Sequence, residues 1–159
     1  MLKFFILLTL FSYTIQAQNI QKSSFDYFQI DIINNDFKFS KKIEDAGYEF
    51  INTKNPDFRF LVNRYKYLPN WLENIADIWI KDLLLKSSGS EKNRKKTKIK
   101  IGNLDGIEIK TQIILGANSF YINVITIQDE KYIYSIATLL GNQNFEPFKK
   151  VAQTFSIKK

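Results

Sequence analysis

The 159-residue sequence contains neither cysteine nor histidine. Without cysteine the chain can form no disulfide bond, so its hydrophobic core must hold the fold together. The two absences also exclude thiolate and imidazole metal sites, and the Cys-His and Ser-His-Asp catalytic systems. Any chemistry would depend on carboxylates, lysine, tyrosine or serine. The sequence therefore predicts no enzymatic activity, no metal site and no cofactor, and it favours binding or support of another molecule.

The N-terminal apolar run is short. It covers residues 4–11, after the positive charge of Lys3 and before a more polar stretch that leads to Ala17. This pattern is typical of a secretory signal peptide over residues 1–17. An uncleaved membrane anchor is the alternative, although the run is well short of the roughly 20 residues that span a bilayer. We expect an exported bacterial protein, in the periplasm or outside the cell.

The remaining chain shows no internal repeat, no glycine-rich phosphate loop and no domain linker. Its 45% hydrophobic content favours a folded core over disorder. The length fits one domain. Residues 18–24 are predicted to be a polar leader and residues 25–159 a single domain.

Positive charge is concentrated in one segment. Residues 86–100 carry seven Lys or Arg residues against the single acid Glu91, and the whole chain has a net charge of +7. Small polar residues open this segment, and its clustered like charges can bury nothing, so we expect a mobile basic loop over residues 86–98. Its candidate partner-binding residues are Lys92, Arg94, Lys95, Lys96 and Lys98.

Such a loop could contact an anionic lipid, an anionic glycan or the acidic face of a cell-envelope protein. The alternative is a solvated loop that only keeps the protein soluble. Nucleic acid fits the charge, but the export signal and the absence of aromatic residues within the loop argue against it. We therefore expect no nucleic-acid partner.

Apolar and polar residues alternate through residues 99–140, interrupted by three turn signals. This pattern predicts an antiparallel meander. Residues 120–128 are apolar on both faces and should form a central strand that is covered on two sides. In the last strand the small residues Ser135 and Ala137 share a face, where a helix can approach closely.

Two segments have helical periodicity. Asn70 is the predicted N-cap of a helix over residues 71–85, with Glu73 as its capping-box partner. The apolar stripe of this helix consists of Leu72, Ile75, Trp79 and Leu83. Residues 145–155 have the spacing of a second helix.

The chain before the first helix is predicted to contain strands. One covers residues 25–33, and residues 48–52 and 58–65 should form a hairpin. With the meander and the two helices, they predict a single-domain α+β fold: an antiparallel sheet with a C-terminal meander, packed against two main helices.

The order of these elements along the chain is similar to that of a known fold family. Strands are followed by a long helix, by a meander whose last strand contains Tyr132 and Tyr134, and by a terminal helix that ends at Thr154-Phe155-Ser156. This arrangement resembles the PsbP-like fold family, which includes photosystem accessory proteins and bacterial relatives. The resemblance implies a non-enzymatic accessory or binding role on an antiparallel sheet flanked by helices.

Three functional hypotheses remain. The first is an accessory or binding protein that contacts a cell-envelope partner through its sheet or its basic loop. The second is a carrier with an apolar pocket under the helix at residues 71–85. Tyr121, Tyr132 and Tyr134 are the candidate residues of a ligand pocket between the sheet and a helix, with ordinary packing as the alternative. The third is a carboxylate-only hydrolase, although the acidic pairs at residues 44–45 and 129–130 are expected at the surface.

Overall fold

The computed structural model describes residues 22–43 and 47–158, without the side chains of residues 86 and 87. The predicted signal peptide at residues 1–17 and the acidic pair at residues 44–45 lie outside the described residues. Within the described part of the chain, no helix is long and apolar enough to cross a membrane.

The described chain contains ten strands and two helices, arranged in two antiparallel sheets. In chain order the elements are β1 (Ser23–Ser24), β2 (Phe28–Ile30), β3 (Phe37–Ile43), β4 (Gly47–Asn52), β5 (Arg59–Lys66), α1 (Trp71–Ser87), β6 (Ser90–Ile101), β7 (Leu104–Leu115), β8 (Asn118–Gln128), β9 (Tyr132–Leu140), α2 (Glu146–Gln153) and β10 (Ser156–Ile157). The small sheet has the order β1-β2-β10, and the large sheet has the order β3-β4-β5-β9-β8-β7-β6. The predicted α+β fold with an antiparallel sheet is confirmed.

Strands β6 to β9 form the predicted meander, because each pairs with the next along the chain. Two-residue turns connect the first three of these strands. Gly102 and Gly116 begin these turns with φ of 59°, the left-handed conformation that tight hairpins require. β8 lies inside the sheet and is buried on both faces, as predicted for residues 120–128.

The large sheet has two chemically different faces, because side chains alternate along each strand. The aromatic face packs against the small sheet and α2, and its buried rings include Phe28, Phe37, Tyr48, Phe50, Phe60, Tyr134, Phe148 and Phe155. The α1 face packs against α1, and its core is aliphatic. It consists of Ala76 and Ile80 from the helix, and Ile107, Ile109, Ile113, Ile122, Val124 and Ala137 from the sheet.

Helix α1 begins at the predicted residue with Asn70 at its N-cap position, but the predicted side-chain capping is wrong. Asn70 has φ of 64° and its side chain makes no capping hydrogen bond, while Glu73 contacts Lys96 instead of completing a capping box. Asparagine tolerates this left-handed conformation and therefore serves as a turn residue here. The predicted apolar stripe is confirmed, since Ile75 is buried and Leu72, Trp79 and Leu83 pack partly buried on the sheet.

The basic loop predicted at residues 86–98 is wrong. Most of that segment belongs to β6, which pairs with β7 along its length. The prediction assumed that a segment must bury side chains to be ordered. An edge strand is instead held by main-chain hydrogen bonds to one neighbour, and it can leave its lysines in water.

The N-terminal predictions need a smaller correction. The strand predicted at residues 25–33 is limited to β2, which pairs with β1 inside the predicted polar leader and with β10. Asp31 follows β2, and its carboxylate accepts a hydrogen bond from the backbone N–H of Asn34 at 3.1 Å. This local bond turns the chain before a longer strand can form. The predicted hairpin of β4 and β5 is confirmed.

Candidate functional site

The basic residues selected from the sequence lie on the outermost strand of the large sheet. We call Lys92, Arg94, Lys95, Lys96 and Lys98 the basic edge, and all five are exposed. Within the described chain, β6 pairs with β7 and its other edge has no strand partner. A lysine-rich edge of this kind discourages unwanted strand pairing. It also presents both charge and main-chain hydrogen-bonding groups to an external partner.

A β-bulge divides the basic edge. Between Lys92 and Lys95, β6 has one residue more than the β7 segment opposite it. Asn93 adopts a left-handed conformation there, with φ of 57°. Beyond the bulge the side chains alternate again, so Lys95 lies on the aromatic face and Lys96 on the α1 face.

Two of the five cations are tied to α1. Arg94 contacts the carboxylate of Asp77, and its Nη1 atom lies 3.5 Å from Glu91 Oε1. Burial alone would lower the pKa of Arg94, but the hydrogen bond to Asp77 and the nearby acidic charges raise it. Lys96 contacts Glu73. These pairs are partly exposed and contribute at most about 1 kcal/mol each, and they connect β6 to the helix.

The other three cations are available to an external partner. Lys92, Lys95 and Lys98 make no ion pair with any carboxylate of the described residues. We call them the unpaired lysines. Lys92 and Lys95 lie on the aromatic face, opposite Gln112 and Lys110 of β7, whereas Lys98 lies on the α1 face. The two groups therefore flank the open edge of β6 on both sides.

A cavity of about 530 Å³ lies beside the bulge, between β6, β7 and the start of α2. It brings together Arg94 and Lys95 from the predicted basic segment and Tyr121 from the predicted pocket residues. Polar groups of the lining satisfy one another: Asn93 Nδ2 donates to Gln112 Oε1 at 2.9 Å, and Gln112 Nε2 donates to the hydroxyl of Tyr121 at 3.4 Å. This cavity is a recess with a largely polar lining beside the basic edge.

Two lysines that line this cavity, on β7 and α2, are paired with carboxylates. Lys149 Nζ lies 3.1 Å from Glu146 Oε1, and this hydrogen bond raises the pKa of Lys149. Lys110 Nζ lies 2.9 Å from Glu108 Oε2. The charges of these two lysines are therefore neutralised locally, which does not favour a strong anion site. Among the described residues, no group of three acidic side chains is placed to hold a metal ion.

The three tyrosines predicted to line a pocket between the sheet and a helix all lie on the aromatic face, whereas α1 covers the opposite face. Tyr121 borders the cavity beside the bulge. The ring of Tyr132 lies 4.5 Å from the guanidinium of Arg64. Tyr134 is 1% exposed, and its hydroxyl donates to Asp129 Oδ2 at 2.9 Å. Tyr132 and Tyr134 therefore have structural roles in the core.

A different pocket does lie between α1 and the sheet, where the carrier hypothesis places one. This α1 cleft has a volume of about 430 Å³. It opens beside β4 and β5, because α1 packs mainly on β7, β8 and β9. Its apolar lining consists of Leu61, Trp79, Leu83, Ile122, Val124, Ala137 and Leu139, and its charged rim consists of Glu49, Asp57, Arg59 and Asp82.

Sequence reasoning found the helix side of this cleft and missed its sheet side. Trp79 and Leu83 belong to the predicted apolar stripe of α1. The sequence analysis did not identify Leu61 and Leu139 as pocket residues. Each is apolar, although by the alternation of its strand it lies on the face opposite the aromatic core. Leu139 is 40% exposed. Such an out-of-phase residue is the signal that could have identified the floor of the cleft.

Solved structures share this arrangement of elements, although their sequence identities are low. A protein from Bacteroides thetaiotaomicron VPI-5482 aligns with a TM-score of 0.57 and 13% identity, over 83% of this chain and 45% of that one. Cyanobacterial PsbP (CyanoP) from Synechocystis sp. PCC 6803 aligns with a TM-score of 0.66 and 9% identity, over 87% of this chain and 92% of CyanoP. The chain has the PsbP-like fold.

The PsbP-like fold is also shared with the Ran-binding protein Mog1p of Saccharomyces cerevisiae, with a TM-score of 0.59 and 8% identity over 82% of this chain and 89% of Mog1p. No protein-family model and no curated protein matches the chain. The chain spans slightly less than half the length of the Bacteroides protein. At these identities the matches show the fold alone, and they confirm the fold predicted from the element order.

Proposed function

We propose that this PsbP-like chain is an exported, non-enzymatic binding protein that holds an acidic polypeptide at the bacterial cell envelope through its basic edge. One observation carries the proposal: Lys92, Lys95 and Lys98 are exposed on an open edge strand and have no ion-pair partner among the described residues. Arg94 and Lys96, in contrast, are already engaged by α1.

The placement of the unpaired lysines favours an extended polypeptide over a flat anionic surface. Lys92 and Lys95 lie on one side of the edge and Lys98 on the other. A bilayer would meet the lysines of only one side at a time. An extended acidic segment along the edge can meet both groups with alternate side chains, while its main chain bonds to the open edge of β6.

The same fold provides further support. Mog1p, named as a Ran-binding protein, has this fold, so a PsbP-like sheet is compatible with binding another protein. The absence of cysteine and histidine supports a non-enzymatic role. The apolar N-terminal segment with its preceding Lys3 supports export.

A charge-matched pair of variants tests the basic edge. The test variant carries Lys92→Gln, Lys95→Gln and Lys98→Gln. The control removes the same charge from three exposed lysines elsewhere, as Lys38→Gln, Lys41→Gln and Lys66→Gln. Each tagged protein is used to co-purify partners from envelope extract at low and high salt, followed by mass spectrometry and direct titration of the recovered partner.

We expect the test variant to lose a partner that the parent and the control retain, and we expect high salt to weaken this binding. Equal recovery of the same partners by both variants would contradict the proposal. So would binding that is indifferent to salt.

Export is tested separately on the full-length chain in a bacterial host. We expect the protein in the periplasm or medium, with a new N-terminus near Gln18. Retention in the cytoplasm with residues 1–17 intact would contradict this part of the proposal.

A further inference from the structure

The outer edge of β6 is regular after the bulge. From Lys95 to Ile101, each of seven consecutive residues of β6 pairs with one residue of β7. An extended segment of this length spans about 20 Å. Alternate main-chain N–H and C=O groups of such a segment point away from the neighbouring strand, and a further strand can bond to them.

The other outer strand of the large sheet offers a shorter edge. Within the described chain, β3 also has a strand neighbour on one side only. Its pairing with β4 shifts between Phe39 and Lys41, so only three regular pairs lie on either side of the irregularity. Lys42 of this strand is already engaged, because its Nζ atom lies 2.7 Å from Asp26 Oδ2. β6 is therefore the better template for an added strand.

Two lysines of the regular segment have no ion-pair partner among the described residues, and they lie on opposite faces. Lys96 and Lys100 are each paired with a carboxylate, whereas Lys95 and Lys98 are not. Lys95 and Lys98 are three residues apart in a regular strand, so Lys95 lies on the aromatic face and Lys98 on the α1 face. Lys92 precedes the bulge and lies outside this segment.

We propose that the acidic polypeptide joins the large sheet as an added strand beside Lys95–Ile101 and carries two acidic residues that are three positions apart. Directly opposed residues of neighbouring strands place their side chains on the same face. An acidic residue opposite Lys95 therefore lies on the aromatic face, and one placed three positions away lies on the α1 face, opposite Lys98. Acidic residues two or four positions apart would share one face and meet only one of these lysines. The inference rests on the proposed function and adds the strand and the spacing to it.

Three blocked peptides of identical composition test the spacing. Each is long enough to cover the regular segment of β6 and contains two glutamates, which are three, two or four positions apart. Titration of the isotope-labelled mature chain, followed by NMR, gives the affinity and the residues that are contacted. We expect the peptide with the spacing of three to bind about threefold more tightly than either of the others, because it gains one more exposed ion pair. Equal affinities for the three peptides would overturn the inferred spacing.

N-methylated peptides test the main-chain part of the proposal. In an added strand, the N–H groups of alternate residues point toward β6. Methylation of one alternate set should therefore weaken binding at least tenfold, whereas methylation of the other set should be tolerated. The unmethylated peptide should also protect outward-pointing amides of residues 95–101 from hydrogen exchange. Equal tolerance of both methylated sets would overturn strand addition.

Single variants of the protein test the two lysines. Lys95→Gln and Lys98→Gln should each lower the affinity of the peptide with the spacing of three to that of the other two peptides. The matched controls are Lys38→Gln and Lys41→Gln, which remove the same charge from exposed positions on β3 and should keep the preference. If the preference survives Lys98→Gln, the inferred register is wrong.

Failure of this inference and failure of the proposed function give different results. If all acidic peptides bind equally, with a strong dependence on salt and with signal changes confined to lysine side chains, charge alone holds the partner and the added strand is wrong. If the peptide with the spacing of three does not bind, the inference is also overturned. The proposed function is then decided by co-purification, in which the variant that lacks all three unpaired lysines must lose a partner.

Discussion

The two faces of the large sheet are covered in different ways. On the aromatic face, rings from two sheets and α2 fill the core, with Phe50 stacked on Phe60 at 4.7 Å and Phe28 stacked on Phe155 at 5.4 Å. On the α1 face, one helix packs on aliphatic side chains and leaves a cleft at its side. The difference teaches that one sheet can be covered in two ways: rings close the core on the aromatic face, whereas the single helix on the other face leaves an apolar cleft open at its side.

The chemistry of the side chains explains this division. Large flat rings fill the space between two packed sheets and also contact one another edge to face or in stacks. The α1 face instead has Ala76 on the helix and Ala137 on the sheet, and these small residues let the helix approach closely. The hydrogen bond between Trp79 and Ser135 fixes that approach.

Truncation of a ring at the centre of the aromatic core should have the largest effect. Phe60 is 1% exposed and also contacts Phe37, with ring centroids 4.9 Å apart. We expect Phe60→Ala to lower the free energy of unfolding by about 3–5 kcal/mol, because a large cavity would form in a core sealed on all sides. Urea denaturation measures the loss. Phe39→Ala, at a ring that is 44% exposed, is the control and should cost much less. A similar loss for both variants would remove the distinction between sealed and exposed rings.

A pair of isoleucines on α1 tests the second face. Ile80 is 1% exposed and Ile78 is 49% exposed on the same helix. We expect Ile80→Ala to destabilise the protein by about 2–4 kcal/mol and Ile78→Ala by about 0.5 kcal/mol, again in urea. Equal effects would show that α1 does not pack on the sheet as described. If Ile80→Ala lowered the free energy of unfolding more than Phe60→Ala does, the α1 face and not the aromatic face would contribute more stability at these positions.

Alkaline pH should weaken the aromatic face selectively. Burial raises the pKa of Tyr134, and the hydrogen bond to Asp129 raises it further; burial also raises the pKa of Tyr27. In the unfolded chain both phenols ionise near pH 10, so the folded state retains protons that the unfolded state loses. The contribution of the two tyrosines to the free energy of unfolding is therefore fully present below about pH 10 and is lost as the pH rises above it. The urea midpoint should decrease between pH 8 and pH 11, and this decrease should be smaller for the double variant Tyr27→Phe with Tyr134→Phe than for the parent. Equal decreases would contradict this account.

The smallest effect is expected at the basic edge. Replacement of Lys92, Lys95 and Lys98 by glutamine should change the free energy of unfolding by less than about 0.5 kcal/mol, because these side chains are exposed and unpaired among the described residues. Thermal and urea denaturation measure it. A clear loss of stability would mean that the three lysines support the fold, which would weaken their assignment to partner binding.

Much of the fold could be predicted because its signals are local. Alternation of apolar residues indicated the meander, and periodicity indicated α1. The small residues Ser135 and Ala137 correctly indicated where a helix approaches, since Trp79 of α1 bonds to Ser135. Apolar residues on both faces correctly placed β8 inside the sheet.

The errors concern features that depend on a distant partner. The segment 90–101 has little apolar alternation of its own, and its order comes from pairing with β7 and from the contacts of Arg94 and Lys96 with α1. The tyrosines were grouped correctly on one face of the sheet, but nothing in their spacing tells which face α1 covers. The α1 cleft has the same dependence, because its lining combines α1 with β4 and β5, which precede the helix, and with β8 and β9, which follow it much later in the sequence.

The bulge at Asn93 places Lys92 and Lys95 on the same face of the sheet although they are three residues apart. In a regular strand, residues three apart lie on opposite faces, and the one extra residue of β6 cancels that difference. Deletion of Asn93 would leave equal numbers of residues in β6 and β7 between these pairs, so Lys92 would stay opposite Gln112 and Lys95 opposite Lys110. The bulge could therefore be removed without moving a lysine of the basic edge from one face to the other, which would separate the effect of the local bend from the effect of the charge.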